Sequence, residues 1–445
     1  MRKTAMLLLS LLAASATCSH AADVTAAKDR VRQTLLYGID SQVIDAIQTI
    51  RATQDTSFTP ELSTMLADQR SDDVQRAILD LFKEQKVASG TDRARAILAA
   101  WQQTSDSLLI SAVQYLAGVK ADGIAAGLLP LVDSDSNAVA IAAIQALGTT
   151  GDSSAAALLV ARLKSTDYPD ARKNDCILAL GALKDPAAED TLLSIAGNTD
   201  EEKVRRMYAA DSLGKIRDPK SLPVLRSMFA ENDALIRLYA AGALSQFGLD
   251  DVFPSLLQGL RDEDPKVRAQ SATTLARPLS PSQASSAVPI LSYKAEFDPE
   301  AVVRNASIKA LGAIGGSASM DTLRTIYLGA DHPLDSREAA LGVLVSRDLA
   351  GTIDAVRSVI ASEWGRFDTR ALEATAKVLA GAQGPELKDV FVHFLDSPDA
   401  VVRAYGARGI GANGFSDLKD RLRKMSEQDP NPGTRREATL ALQKL

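Results

Sequence analysis

Gly409, Gly411 and Gly414 carry the Gly-x-Gly-x-x-Gly spacing that, between a strand and a helix, lets backbone amides wrap a nucleotide pyrophosphate. Here the three glycines end a helical phrase instead of opening one, so no nucleotide cofactor is expected. Metal chemistry fares no better. Beyond His20, the histidines are His332 and His393, far apart in the chain and neither in a His-Glu pair, and the thiols are Cys18 and Cys176. Dispersed imidazoles and one thiol do not make a zinc set. Cys176 lies four residues before Leu180, near the direction that residue takes into a core, and reads as a buried, inert thiol. No serine sits in a nucleophile-elbow setting, and the many carboxylates read as solvated helix faces. The sequence therefore predicts no catalytic residue, no metal and no cofactor.

What the chain repeats is a leucine or isoleucine closing a short helical phrase, at Leu116, Leu147, Leu180, Leu213, Leu244, Leu275, Leu311, Leu344, Leu379, Ile410 and Leu442. The gaps run from 31 to 36 residues, the self-similarity of stacked repeats. The clearest unit starts Asp298-Pro299, runs through Arg304, Ala306, Ile308 and Ala310 to Leu311-Gly312, and is followed by a second apolar phrase from Met320 to Leu328. Aspartate before proline predicts a helix start, because the carboxylate caps exposed amides and proline fits the first turn. Gly312 suits the helix end, where a left-handed residue is often required. Related phrases begin at Asp233, Asp264 and Asp399, and alanine pairs such as Ala142-Ala143, Ala209-Ala210 and Ala240-Ala241 keep the helices thin enough to stack.

The Asp-Pro-x-Val-Arg start, alanine-rich middle and Leu-Gly ending resemble the HEAT repeat family, most closely its short bacterial variety of the bilin-lyase type. The resemblance covers Ser105 to the C-terminus, with degenerate copies upstream at Ser41 to Ile50 and Ser71 to Leu81. It implies an all-α, right-handed α-solenoid of about 11–13 antiparallel helix pairs with a period near 33 residues. The domain organisation that follows is a leader at 1–21, an N-terminal helical region with degenerate repeats at 22–104, and the solenoid at 105–445. The scattered histidines count against the di-iron hydroxylase branch of HEAT-like enzymes.

Seven residues before the closing position, Arg or Lys recurs at 173, 206, 237, 268, 304, 337, 403 and 435. Seven steps of 100° return a side chain to within about 20° of its starting direction, so these cations face the layer between repeats. They could form a basic track for an acidic ligand. The direction and the guanidinium's several donors favour a structural ladder, in which Arg237, Arg268, Arg304, Arg337 and Arg403 bond inter-helix aspartates such as Asp264, Asp298 and Asp399. Positions two and five before the closing residue point the other way, onto the exposed side of the second helix, which in HEAT-like proteins commonly lines the concave face. Tyr208, Tyr239, Gln270, Lys309, Tyr405 and Arg408 fall there and are the expected partner-binding residues. The rhythm loosens around Pro278, Pro281 and Pro289, and again at Glu363-Trp364-Gly365-Arg366, where a loop could alter curvature or bind.

Met1-Arg2-Lys3, an apolar stretch to Ala16 and Ser19-His20-Ala21 form a secretory signal with cleavage expected after Ala21. Cys18 offers a lipoprotein reading, weakened by Ser15-Ala16-Thr17 in front of it. Taking Arg2 and Lys3 from the 50 basic residues leaves 48 against 56 acidic, a net charge of −8 that argues against nucleic acid as a partner. From Arg403 onward nine cations outnumber five acids, which reads as a solvated last repeat. No run after the leader is long enough to span a bilayer. These readings together predict a non-enzymatic, periplasmic or secreted scaffold that holds a protein or peptide on its concave face. The alternatives are an envelope component that self-associates through its last helix, Thr434 to Leu445, and an enzyme accessory subunit, the latter implied only by the resemblance to bilin lyases.

Overall fold

The computed structural model describes residues 25–445, and among these there is no β-strand. The stretch expected to be a secretory signal, and Cys18 within it, lie outside the described residues. The described chain divides into two compact units, one up to Val224 and one from Leu225 to Leu445.

In the first unit the helices Asp40–Thr53, Asp72–Gln85, Asp106–Gly118, Asn137–Leu147, Asp170–Leu183 and Lys203–Ile216 pack each on the next. Shorter helices between them, including Thr59–Ala67, Thr91–Ala99 and Glu189–Gly197, build a second layer. The second unit repeats the plan. Ala234–Leu244, Pro265–Leu275, Ala301–Ile314, Leu334–Arg347, Arg370–Ala380, Ala400–Asn413 and Pro432–Leu442 pack in succession. Leu249–Gly259, Pro281–Phe297, Ser317–Leu328, Leu349–Glu363, Lys388–Phe394 and Lys419–Gln428 alternate with them. The periodicity dictates this arrangement, because each leucine-closed helix is apolar enough to need cover on several sides and alanine lets its neighbours approach. Ten of the eleven closing residues are at most 1% exposed, and Leu442 is half-buried.

The glycine after the closing leucine does a different job from the expected one. Gly312 lies inside Ala301–Ile314, and the left-handed residue that ends this helix is Gly315, at φ 73°. A Cβ on Gly312 would sit 2.4 Å from Val343 Cγ1 on the next leucine-closed helix. Gly411 likewise lies within Ala400–Asn413, where a Cβ would meet Ala441 Cα at 2.7 Å, and Gly414 is the left-handed cap. These glycines mark close helix contacts, not helix ends.

The proline-rich stretch folds into Pro281–Phe297, started by a capping box at Ser280 and carrying Pro289 within it. At the second irregularity Trp364 stacks on His393, with ring centroids 3.9 Å apart. Phe367 just beyond stands fully exposed.

Candidate binding faces

In Leu225–Leu445 the basic position seven residues before the closing leucine has a recurring geometry. Arg237, Arg268, Arg304, Arg403 and Arg435 each donate Nη1 to the carbonyls six and five residues earlier, at 2.6 to 3.2 Å. Three of them grip a carboxylate of the following repeat with Nε and Nη2: Arg237 takes Asp262, Arg268 takes Asp298 and Arg403 takes Asp429, all at 2.8 to 2.9 Å. A planar fork meeting two carboxylate oxygens is the strongest form of ion-paired hydrogen bond, and these pairs are largely buried. Each receiving carboxylate also accepts the amide two residues on, from Asp264, Glu300 and Asn431 respectively. Burial alone would push the Asp298 carboxyl up, but Arg268, the Glu300 amide and Lys294 together hold it below the ordinary range. Arg403 does the same for Asp429 against a smaller burial effect.

Several expected pairings are corrected. Asp264 and Asp399 receive no arginine; each caps its own helix, accepting two backbone amides. Arg304 bonds Ser336 Oγ at 3.0 Å and comes within 3.7 Å of Asp335. Arg337 donates Nε to the carbonyl of Tyr327 and meets no aspartate among the described residues. The sequence reading missed Asp262 and Asp429. Aligning the repeats on their arginines would have found them, since Asp262, Asp298 and Asp429 all stand six residues before a basic position.

The opposite side of the leucine-closed helices carries the expected binding residues. Tyr208, Tyr239, Gln270 and Tyr405 are half-buried, whereas Lys309 and Arg408 are exposed. Arg408 is already engaged: it forks onto Glu437 at 2.9 and 3.0 Å and lies 5.2 Å from the centre of the Tyr405 ring. Four residues before Tyr239 and Tyr405, and so on the same helix face, stand Leu235 and Val401, 43% and 44% exposed. The equivalent position before Ala306 is Val302, at 56%. These aliphatics each lie two residues after a helix cap.

The other candidate chemical groups have structural surroundings. Cys176 is fully buried, and burial pushes its thiol up to about 12. No group of three or more His, Cys, Asp or Glu among the described residues could hold a metal. A Cβ on Gly409 would strike the Phe391 ring at 2.4 Å, so this glycine serves packing. In the basic C-terminal stretch Arg403, Arg408, Arg421 and Arg423 each face a carboxylate. No described helix is long and apolar enough to cross a membrane.

Two layers of repeated helices, joined by a buried ladder and free of strands among the described residues, define a helical repeat protein of the HEAT solenoid class. The chain belongs to the spirochaete HEAT repeat protein family, which matches residues 35–441. No curated protein matches it. Among solved structures it is similar to Kap95p in complex with RanGDP, at 13% identity over 94% of this chain and 61% of that one, with a TM-score of 0.53. Importin beta is similar at 13% identity over 94% and 67% of the two chains, with a TM-score of 0.51. Human deoxyhypusine hydroxylase aligns at 20% identity over 57% of this chain and 95% of that one, with a TM-score of 0.27. At these identities what is shared with the two karyopherins is the fold. The chain spans 61% of the length of Kap95p.

Proposed function

We propose that this protein is a non-enzymatic scaffold, working outside the cytoplasm, that holds a protein or peptide along the outward face of its leucine-closed helices. The observation that carries this reading is the pairing of an exposed aliphatic with a half-buried tyrosine at one register, Leu235 with Tyr239 and Val401 with Tyr405. A folded chain has no internal reason to keep Leu235, Val302 and Val401 in water at equivalent positions, and such side chains gain by being covered. Tyrosine beside them adds area at little entropic loss and keeps a hydroxyl for a polar rim. Gln270, Lys309 and Arg408 supply that polarity on neighbouring repeats, and Tyr208 stands at the same register in the first unit. The apolar leader and Ser19-His20-Ala21 support export to the periplasm or beyond.

The test is a photoreactive residue at Tyr239 in the full chain, crosslinked in cells, beside a Leu235→Ala/Tyr239→Ala variant probed from Tyr405. The expected result is one discrete protein captured from both positions and lost in the variant, whose helix content and melting stay near native. Capture of a second copy of this chain alone would move the reading to a self-assembling envelope component. Unchanged capture by the variant would refute the binding face.

A further inference from the structure

The ladder has one rung in which the register demands a carboxylate and the chain supplies a cation. In the rungs that close, the receiving acid stands six residues before the basic position of the following repeat: Asp262 before Arg268, Asp298 before Arg304, Asp429 before Arg435. For Arg337 the following repeat has Leu372 at that basic position, and six residues before it stands Arg366. Arg337 is nonetheless as buried as its sisters, at 8% exposure. Its Nε donates to the Tyr327 carbonyl at 3.0 Å. Among the described residues its Nη nitrogens meet no acceptor and it joins no ion pair.

Where the missing carboxylate would lie there is a pocket of about 380 Å³, lined by Arg337, His332, Leu334, Glu363, Arg366 and Arg370, among others. The other charges of its wall are compensated locally. Arg366 approaches Glu363 at 3.3 Å, and Arg370 forks onto Asp368 at 2.6 and 2.9 Å. Arg337 is left with no carboxylate within ion-pair distance among the described residues, and its Nη nitrogens are not sealed from solvent but face the pocket, where an anion would find a cation with no competing partner. We infer that this pocket takes a carboxylate in trans, from an acidic segment of a bound peptide, which docks on the two Nη nitrogens of Arg337, because its Nε, which with Nη2 grips the carboxylate in the sister arginines, is here given to the Tyr327 carbonyl. Glu363 and Asp368 in the wall repel a multiply charged phosphate more than a single carboxylate. Leu334 and Ala371 offer the peptide an apolar margin. None of these residues belongs to the aliphatic and tyrosine stripe, so the pocket can bind whether or not the stripe does.

The probe is a short fluorescent oligoglutamate peptide, titrated into the full chain by anisotropy, with oligoglutamine as its neutral counterpart. Saturable binding of oligoglutamate alone is expected, weakened at least about tenfold by Arg337→Gln. Arg366→Asp places the ladder carboxylate in the chain itself and should abolish binding with helix content unchanged, although it also takes the Arg366 partner from Glu363, so it reports even if Arg337→Gln folds poorly. Arg357→Gln, which removes an equal charge from an exposed ion pair on the neighbouring helix, should bind like the native chain. Native-like affinity in Arg337→Gln or Arg366→Asp, or no saturable binding to the native chain, would overturn the proposal. Displacement of the peptide by inorganic phosphate at lower concentration than by acetate would overturn the assignment to a carboxylate.

Discussion

Replacing Arg268 by alanine isolates the energy of one rung. Arg268 makes four hydrogen bonds, two to the Asp298 carboxylate at 2.8 and 2.9 Å and two to the carbonyls of Asp262 and Glu263 at 2.9 Å. The Asp298 side chain is 0% exposed, so the substitution leaves a carboxylate in the interior. Removing one partner of a buried pair costs about 3–5 kcal/mol when nothing else compensates. Lys294, 3.2 Å from the same carboxylate, and the Glu300 amide remain, which places the expected loss near the lower end, about 3 kcal/mol. In a unit the size of Leu225–Leu445 this corresponds to roughly 6–12 °C in melting temperature. Removing both partners, in Arg268→Ala/Asp298→Ala, should cost less than the sum of the single changes, because no charge is stranded. Denaturant melts of the four chains, followed by circular dichroism, give the coupling directly. The folded Asp298 carboxyl titrates below its unfolded value, so its contribution is present above the ordinary carboxylate range and is lost as pH falls through the folded value. The acid limb of unfolding should therefore flatten in Asp298→Asn. A loss below about 1 kcal/mol in Arg268→Ala, or a coupling near zero, would refute the ladder as a source of stability.

Two further expectations concern packing. Gly411→Ala should destabilise by about 1–3 kcal/mol because its Cβ meets the Ala441 backbone, although alanine is the better helix former; a gain in denaturation midpoint would contradict the close-contact role. The Cys176 thiol should resist a thiol reagent at neutral pH in the native chain and react once guanidinium unfolds it, and equal rates in the two states would show that the site opens.

Much of the architecture was legible because apolar periodicity is a local property that packing then enforces. The closing leucines and the thinness of the alanine pairs could be read directly, and the buried thiol followed from its spacing to Leu180. The pairings across repeats were less accessible. Asp264 and Asp298 look alike, each followed by proline, yet one caps a helix and the other receives an arginine, because both helices begin three residues before their arginine, at Pro265 and Ala301, which puts Asp264 at the cap and Asp298 two residues ahead of it. Gly312 was misread for a similar reason: a glycine near a helix end and a glycine at a helix crossing carry the same letter, and only the position of Val343 separates them. The exposed Leu235, Val302 and Val401 escaped notice because apolar residues at helix starts are ordinarily drawn inward. Their lack of cover is a property of neighbours, which no single helix records.

The ladder also bears on how such a chain could lengthen. The repeat from Asp262 to Phe297 carries its acid toward the preceding Arg237 and its Arg268 toward the following Asp298, so both halves of a junction are encoded within a single unit. A tandem duplication of the segment from Asp262 to Phe297 would bring matching ends with it, and the copy would lock at both borders without any compensating change. The stretch from Arg337 to Ser397, where Arg366 and Leu372 occupy the two coupling positions, has lost that interchangeability. A copy inserted between Arg237 and Asp298 would thus find a matching partner at both borders, and one inserted after Arg337 would not.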